Sequence, residues 1–395
     1  MTPVSEPNSA SASPSSQIRH LFETFLWTRA WILFVLLIAA SLKIETVPAR
    51  EGTDHHLTLS FSFADAREDL KRIWRSADCS WYLEIADQGY DQIAHSDPRP
   101  HNWVFFPLFP LLERALAPLL GNSFRAGVLL ANLSFLGALL VIHRLAIESG
   151  YSAAESSRAL WFLCIFPTSY FFLAPLTESL FLLLVSAAFL LVQRRQPIAG
   201  AVLFSLATAT RPVGLIMLPA FALWLWEQQR TFTIRQGLAL ITAPLGGVLY
   251  TAYLQQITGN PLAFAENQAY WGRAKLSLPK LFEQLLSYPF ELMHPWNFTL
   301  LNVAALLLGA FVALRLLLQR RYSWSALVAL PLIAALMTGS VLSMCRFTMV
   351  LFPIFFELGR LAHDTRSERL LTMIFASLLA VMTALYAAHV TGAMA

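Results

Sequence analysis

Apolar runs near the length of a membrane-crossing helix recur from Ala30 almost to the C-terminus, parted by short polar connections rich in arginine. A helix of roughly 20 apolar residues crosses a bilayer core of about 30 Å. Runs at 125–146, 158–173, 176–192, 197–210, 212–226, 236–255, 297–319, 324–341, 346–361 and 370–390 are read as spans. A first helix, from about Ala30 to Leu42 and lengthened by the apolar stretch Phe22–Trp27, completes an all-α, polytopic membrane protein of about 11 transmembrane helices. Arg19 and Arg29 precede that first segment, and Ala39, Ala40 and Ser41 lie near its end, so a cleavable signal sequence also fits. An uncleaved signal-anchor helix is preferred, because the added residues approach a full span.

Two polar stretches break the pattern, residues 44–120 and 256–296. In the first, Ala66 to Arg75 mixes charges of both signs with Leu70, Ile73 and Trp74, which suits an interfacial helix. The stretch N-W-V-F-F-P-L-F-P-L-L-E-R-A-L-A-P-L-L (102–120) carries Pro107, Pro110, Pro118 and the pair Glu113–Arg114. It is read as re-entrant or interfacial, not crossing. Residues 1–24 open on a Ser/Pro/Ala-rich run and are expected to form a disordered cytoplasmic tail, with 25–395 a single transmembrane domain.

Charge then sets the orientation. Only 13% of residues are charged, against roughly a quarter in a soluble domain. If the N-terminus is cytoplasmic and 102–120 does not cross, the connections holding Arg144/Arg158, Arg194-Arg195, Arg230/Arg235, Arg320-Arg321 and Arg360/Arg366/Arg369 all fall inside. The positive-inside rule asks for this, and counting 102–120 as a crossing would reverse every one. Residues 44–120 and 256–296 become extracytoplasmic loops. The net charge of +4 is explained by arginines at one face, with no need of nucleic acid. Short loops with no appended lumenal domain point to a bacterial plasma (inner) membrane.

Three apolar stretches each hold one charge: Glu178 between Arg158 and Arg194, Arg211 between Arg195 and Glu227, and Arg346 between Arg321 and Glu357. The flanking arginines imply two crossings per stretch, which puts each lone charge at an extracytoplasmic turn. Pro175, Pro212 and Gly339-Ser340 supply breaks beside them. Snorkelling turn residues would give the same pattern, but three lone charges on one face also make a candidate site. The second loop adds E-N-Q-A-Y-W-G-R-A-K (266–275) and M-H-P-W-N (293–297). There Gln268, Trp271, Arg273 and His294 are able to contact a phosphate or a sugar ring, or to form an aromatic belt at the interface. Cys79, Cys164 and Cys345 are too scattered for a disulfide framework or a zinc site; Cys79 and Cys345 share a face, and sequence leaves open whether they meet.

The segment R-S-A-D-C-S-W-Y-L-E-I-A-D-Q-G-Y (75–90) is polar, acidic and aromatic in a mostly apolar chain. From Asp78 to Tyr90 it resembles the first-loop signature of the PIG-V-type mannosyltransferases and their bacterial relatives. The resemblance continues, in order, through F-F-P-L-F-P-L-L (105–112), F-P-T-S-Y-F-F-L-A-P-L-T-E-S-L-F (166–181), A-T-R-P-V-G (209–214) and C-R-F-T-M-V-L-F-P-I-F (345–355). Where that family has Trp-Asp, this chain has Ala77-Asp78, so the acceptor is less defined than the reaction.

The resemblance implies a membrane glycosyltransferase of the GT-C class. Such an enzyme takes a sugar, mannose in this family, from a polyprenyl-phosphate donor on the extracytoplasmic side. It transfers the sugar with inversion to a hydroxyl of a membrane lipid or glycan. That chemistry needs a carboxylate base and cations for the leaving phosphate. Asp78 is the expected base, with Glu84 and Asp87 as rivals. Arg211 and Arg346 are expected to hold the donor phosphate, with Arg273 and His294 as secondary contacts. Glu178, Trp81, Tyr82, Asp87, Tyr90, Gln268 and Trp271 are candidates for positioning substrate; Trp81, Tyr82 and Tyr90 also suit packing of the loop. A structural helix cap is the lesser alternative for Asp78. No cofactor is implied, and a divalent ion on Asp78, Asp87 and Asp91 is disfavoured because oxygen-ligand sites cluster carboxylates more tightly. A lipid-linked substrate transporter or flippase remains the alternative; it would place charges at the midplane of repeated halves.

Overall fold

The structure, a computed structural model, describes residues 14–48, 55–64, 66–76, 78–97, 99–229, 233–271, 278–287, 298–337 and 341–391. Helix α1 (Pro14–Ser41) begins well before the expected first span. Residues 14–24, expected as disordered tail, are therefore helical, and Arg29 lies inside the helix and is buried instead of flanking it.

A two-stranded ribbon follows, which an all-α reading did not anticipate. β1 (Leu42–Pro48) pairs antiparallel with β2 (His55–Phe61) in the register Leu42↔Phe61, Ile44↔Leu59. Leu42 and Ile44 on β1, and Leu57, Leu59 and Phe61 on β2, fall at every second position, a period of two that suits a pleated pair. Next come α2 (Ala66–Arg75), α3 (Asp78–Gln88), a 3₁₀ turn at Asn102–Val104 and α4 (Leu108–Leu120). At 1.5 Å per residue, α4 is about 20 Å long, too short to cross unaided.

The bundle proper starts at α5 (Ser123–Glu148), capped by Asn122, and α6 (Ala153–Cys164), which opens on a capping box of Ser152 and Glu155. α7 (Glu178–Gln193) is central and buried on nearly every side. It packs against α5 and α8 (Pro197–Thr208). The chain continues through α9 (Val213–Ile216), α10 (Leu218–Gln229), α11 (Ile234–Thr242) and α12 (Leu245–Thr258). In the second loop lie α13 (Ala263–Glu266), a 3₁₀ turn at Asn267–Trp271 and α14 (Leu278–Ser287). α15 (Thr299–Leu318), α16 (Tyr322–Met337), α17 (Met344–Thr348), α18 (Phe352–Leu361) and α19 (Thr365–Thr391) complete it, with α6 against α18, α15 against α16 and α1 against α19.

Among the described residues five helices are long and apolar enough to cross a membrane: α1, α5, α11 with α12 as one rod (Ile234–Thr258), α15 and α19. The other expected spans are shorter or interrupted. The run 158–173 stops as a helix at Cys164, 212–226 divides at Met217, and 346–361 divides between Thr348 and Phe352. Pro167, Pro219 and Pro353 stand at these breaks. Each removes a helix donor and biases the preceding residue away from the α region, which an apolar run scored by length alone does not register.

The arginine-rich turns gather at one end. Arg194 pairs with Glu148 at 2.6 Å, Arg360 with Glu155 at 3.2 Å, and Arg321 donates to the Ser149 carbonyl. Beneath them the fully buried Glu357 carboxylate accepts from Arg315 (2.6 Å), Gln319 (2.9 Å) and the Tyr151 hydroxyl (2.9 Å). Glu178 opens α7 at its far end, about 24 Å away for 16 residues.

Candidate active site

Asp78 is the first residue of α3, so its charge sits at the positive end of a short helix. Its Oδ2 takes a hydrogen bond from Arg346 Nη1 at 2.5 Å. Arg346 lies on α17, the short turn left where the 324–361 stretch breaks. The residue that enters that turn, Ser343, has φ 62°. Arg346 Nε donates to Glu178 Oε1 at 2.6 Å, and its guanidinium carbon stands 4.6 Å from the centre of the Phe171 ring. Glu178, the first residue of α7, also receives Arg211 Nη1 on the same oxygen. Arg211 comes from the connection between α8 and α9, and its Nη1 reaches Thr177 Oγ1 at 2.9 Å.

The three lone charges and Asp78 thus form one run, Asp78–Arg346–Glu178–Arg211, with two acids balancing two guanidinium groups. Burial grades along it. The Glu178 side chain is 0% exposed, Arg346 10%, Arg211 11% and Asp78 30%. Asp78 is the member open to a substrate; Glu178 is a fixed post that orients both arginines. Its second oxygen has no hydrogen-bond partner.

The other expected residues divide. Tyr82 is buried, edge-on to Phe105 and Phe109, with its hydroxyl 3.4 Å from Thr177 Oγ1. Trp81 stacks on Phe105, and Tyr90 donates to the Phe105 carbonyl at 2.6 Å. These three pack the loop. Asp87 accepts from Ser123 Oγ at 2.5 Å, which holds α3 against α5. Gln268 is half-buried in the second-loop turn. Arg273 and His294, and the Trp271 side chain, lie outside the described residues. Cys79, Cys164 and Cys345 are free, buried thiols.

Asp91 turns to His101 Nδ1 at 2.8 Å, and the His101 amide donates to Asn267, tying the two loops together. Among the described residues no three His, Cys, Asp or Glu side chains are grouped to hold a metal ion.

Residues 18–270 match the model of the family Mannosyltransferase (PIG-V). The chain belongs to the PIG-V mannosyltransferase family. Relatives of this PIG-V family member include GPI alpha-1,6-mannosyltransferase 2 of Homo sapiens, 32% identical over 149 residues, or 35% of this chain and 29% of that protein. The Mus musculus protein of the same name is 30% identical over 151 residues, 36% of this chain and 29% of its own length. The match thus spans under a third of each relative. Among solved structures, the Archaeoglobus fulgidus oligosaccharyltransferase aligns with 91% of this chain and 53% of its own, at 12% identity and a TM-score of 0.41. So distant a likeness carries no argument.

Several residues of this candidate site in the PIG-V family member escaped the sequence reading. Thr177 and Phe171 contact the arginines directly, and both lie in the quoted stretch 166–181 without having been singled out. The Tyr386 hydroxyl on α19 bonds Ser76 Oγ at 2.8 Å and donates to the Ile73 carbonyl, pinning the turn before Asp78. Nothing in an apolar C-terminal helix marks that tyrosine in advance.

Proposed function

We propose that this protein is a GT-C-class glycosyltransferase. It moves a hexose, taken as mannose, from a polyprenyl-phosphate donor to a hydroxyl of a lipid- or glycan-type acceptor, with inversion, on the extracytoplasmic face. The observation that carries the reading is the paired run from Asp78 to Arg211, which sets one accessible carboxylate beside two guanidinium groups. The acceptor oxygen attacks C1 of the sugar as the bond from C1 to the phosphate oxygen breaks. The hydroxyl proton passes to Asp78, and the bonding pair leaves with the phosphate, where Arg346 and Arg211 meet its charge.

At rest Arg346 is held by Asp78. A guanidinium fork accepts phosphate and carboxylate oxygens alike, so an arriving donor phosphate competes for Nη1 and frees the base. Glu178 keeps its hold on both arginines throughout. Membership of a mannosyltransferase family supports the reaction class. The extracytoplasmic face is supported by the basic turns at the Arg194 end of α7, which the positive-inside rule assigns to the cytoplasm.

The test compares full-length wild type with Asp78→Asn, using polyprenyl-phosphate mannose labelled in the sugar and a membrane-lipid extract. A folded Asn variant should lose roughly 10²- to 10⁴-fold in transfer. Equal transfer by both would remove Asp78 as base and turn attention to Glu84, Asp87 or Glu178.

A further inference from the structure

Arg29 is a buried cation to which the reaction above gives no part. It lies mid-way along α1 at 5% exposure. Its Nη1 donates to the Ser169 carbonyl at 3.4 Å, and its Nη2 to the Cys164 carbonyl at 3.4 Å and Ser169 Oγ at 3.2 Å. The guanidinium carbon stands 4.7 Å from the centre of the Phe135 ring. Among the described residues no carboxylate pairs with it.

An ionised group without a counter-charge is costly inside a membrane protein and marks a functional position by default. What Arg29 meets is the end of a broken helix. α6 stops at Cys164, and 165–177 is irregular apart from the turn Ser169–Phe172. Carbonyls released from helix at that depth need partners from elsewhere in the protein. Arg29 supplies them from α1, and Asn132 Nδ2 on α5 supplies the Leu173 carbonyl at 3.1 Å.

The same segment is the floor of the site. Thr168 Oγ1 donates to the Cys345 carbonyl beside Arg346 at 3.3 Å, Phe171 lies under the Arg346 guanidinium, and Thr177 takes Arg211. We propose that Arg29 is a positioning residue that fixes the segment 165–177, and through it the aim of Arg346 and Arg211 at the donor phosphate. This rests on the reading of the Asp78–Arg211 run as the active site.

The test measures steady-state transfer by purified, full-length Arg29→Gln and Arg29→Lys, varying polyprenyl-phosphate mannose and acceptor separately, with thermal unfolding followed in parallel. Misaimed phosphate contacts should raise the donor KM or lower kcat by about 10- to 100-fold in Arg29→Gln, leave the acceptor KM within about twofold, and be partly restored in Arg29→Lys. A folded Arg29→Gln protein with wild-type kcat and donor KM, or one altered only in melting temperature, overturns the proposal. Should Arg29→Gln not fold, Ser169→Ala removes the Oγ that accepts from Arg29 and donates to the Cys164 carbonyl; an unchanged kcat and donor KM there overturns the proposal. Asp78→Asn, run alongside, separates the two ideas. An inactive Asn variant with a normal Arg29→Gln sinks only the positioning role, whereas an active Asn variant sinks the underlying reading.

Discussion

Arg346 engages two carboxylates through two different nitrogens, Nε on Glu178 at 2.6 Å and Nη1 on Asp78 at 2.5 Å. Lysine offers a single compact charge and cannot span both. Arg346→Lys should therefore lose about 100-fold in kcat/KM for the donor, read from a donor titration; a loss under twofold would detach Arg346 from the phosphate. Glu84, the rival base, lies half-buried on α3 six residues beyond Asp78. Partial burial and then Asp91 push its carboxyl above the usual range. A raised acid contributes stability below its ordinary pKa and loses it as pH rises through the folded value. Glu84→Gln should thus keep full transfer and melt slightly higher than wild type at neutral pH, with the difference vanishing near pH 4. A dead Glu84→Gln enzyme would reassign the base. At this scale the lone charges Glu178, Arg211 and Arg346 were legible because each stood alone in an apolar run. Arg29 was not: it looked like a flank, and its partners Cys164 and Ser169 are 135 and 140 positions away.

At the scale of elements, two helix ends carry arginine where glycine is usual. Arg195 (φ 63°) and Arg320 (φ 61°) are left-handed. Each closes a Schellman motif, with Gln196 N–H on the Leu191 carbonyl and Arg321 N–H on the Leu316 carbonyl, both at 2.9 Å. The strain keeps a cation at the arginine-rich end. Arg195→Gly should raise stability by about 1 kcal/mol, measured by thermal unfolding in detergent; a lower melting point would show that the charge itself is needed for folding. Gly127 on α5 is the opposite case. A Cβ there would collide with Glu113 Oε1 and stand 2.7 Å from Pro175 Cβ, so Gly127→Ala should cost about 1–3 kcal/mol. Glu113 is fully buried and neither of its oxygens is hydrogen-bonded. The helix Ala66–Arg75 was readable to the residue from its amphipathic pattern. The ribbon Leu42–Phe61 was not, since its alternation is short and was taken as loop.

For the whole molecule, the arginine turns and the Asp78 run lie at opposite ends of α7. Single cysteines at Asp97 and Arg366, the native thiols being buried, should report this through a membrane-impermeant maleimide. Asp97→Cys should label in intact cells and Arg366→Cys only after permeabilisation; the reverse would put the site inside. Membrane residence, the basic end and the isolated charges followed from the chain alone, because hydropathy and charge spacing are local properties that survive any packing. The spans did not resolve fully from the same signal: proline breaks and short helices can be satisfied only when neighbouring helices take up the freed backbone groups. Nor did sequence decide which acid meets which guanidinium. Asp78 and Arg346 are separated by 268 positions, and they meet where Glu178, the first residue of the central buried α7, holds the other edge of the Arg346 guanidinium. Taking a guanidinium from the buried Glu178 would leave its charge uncompensated, and only the tertiary arrangement says which arginines lie there to pair with it.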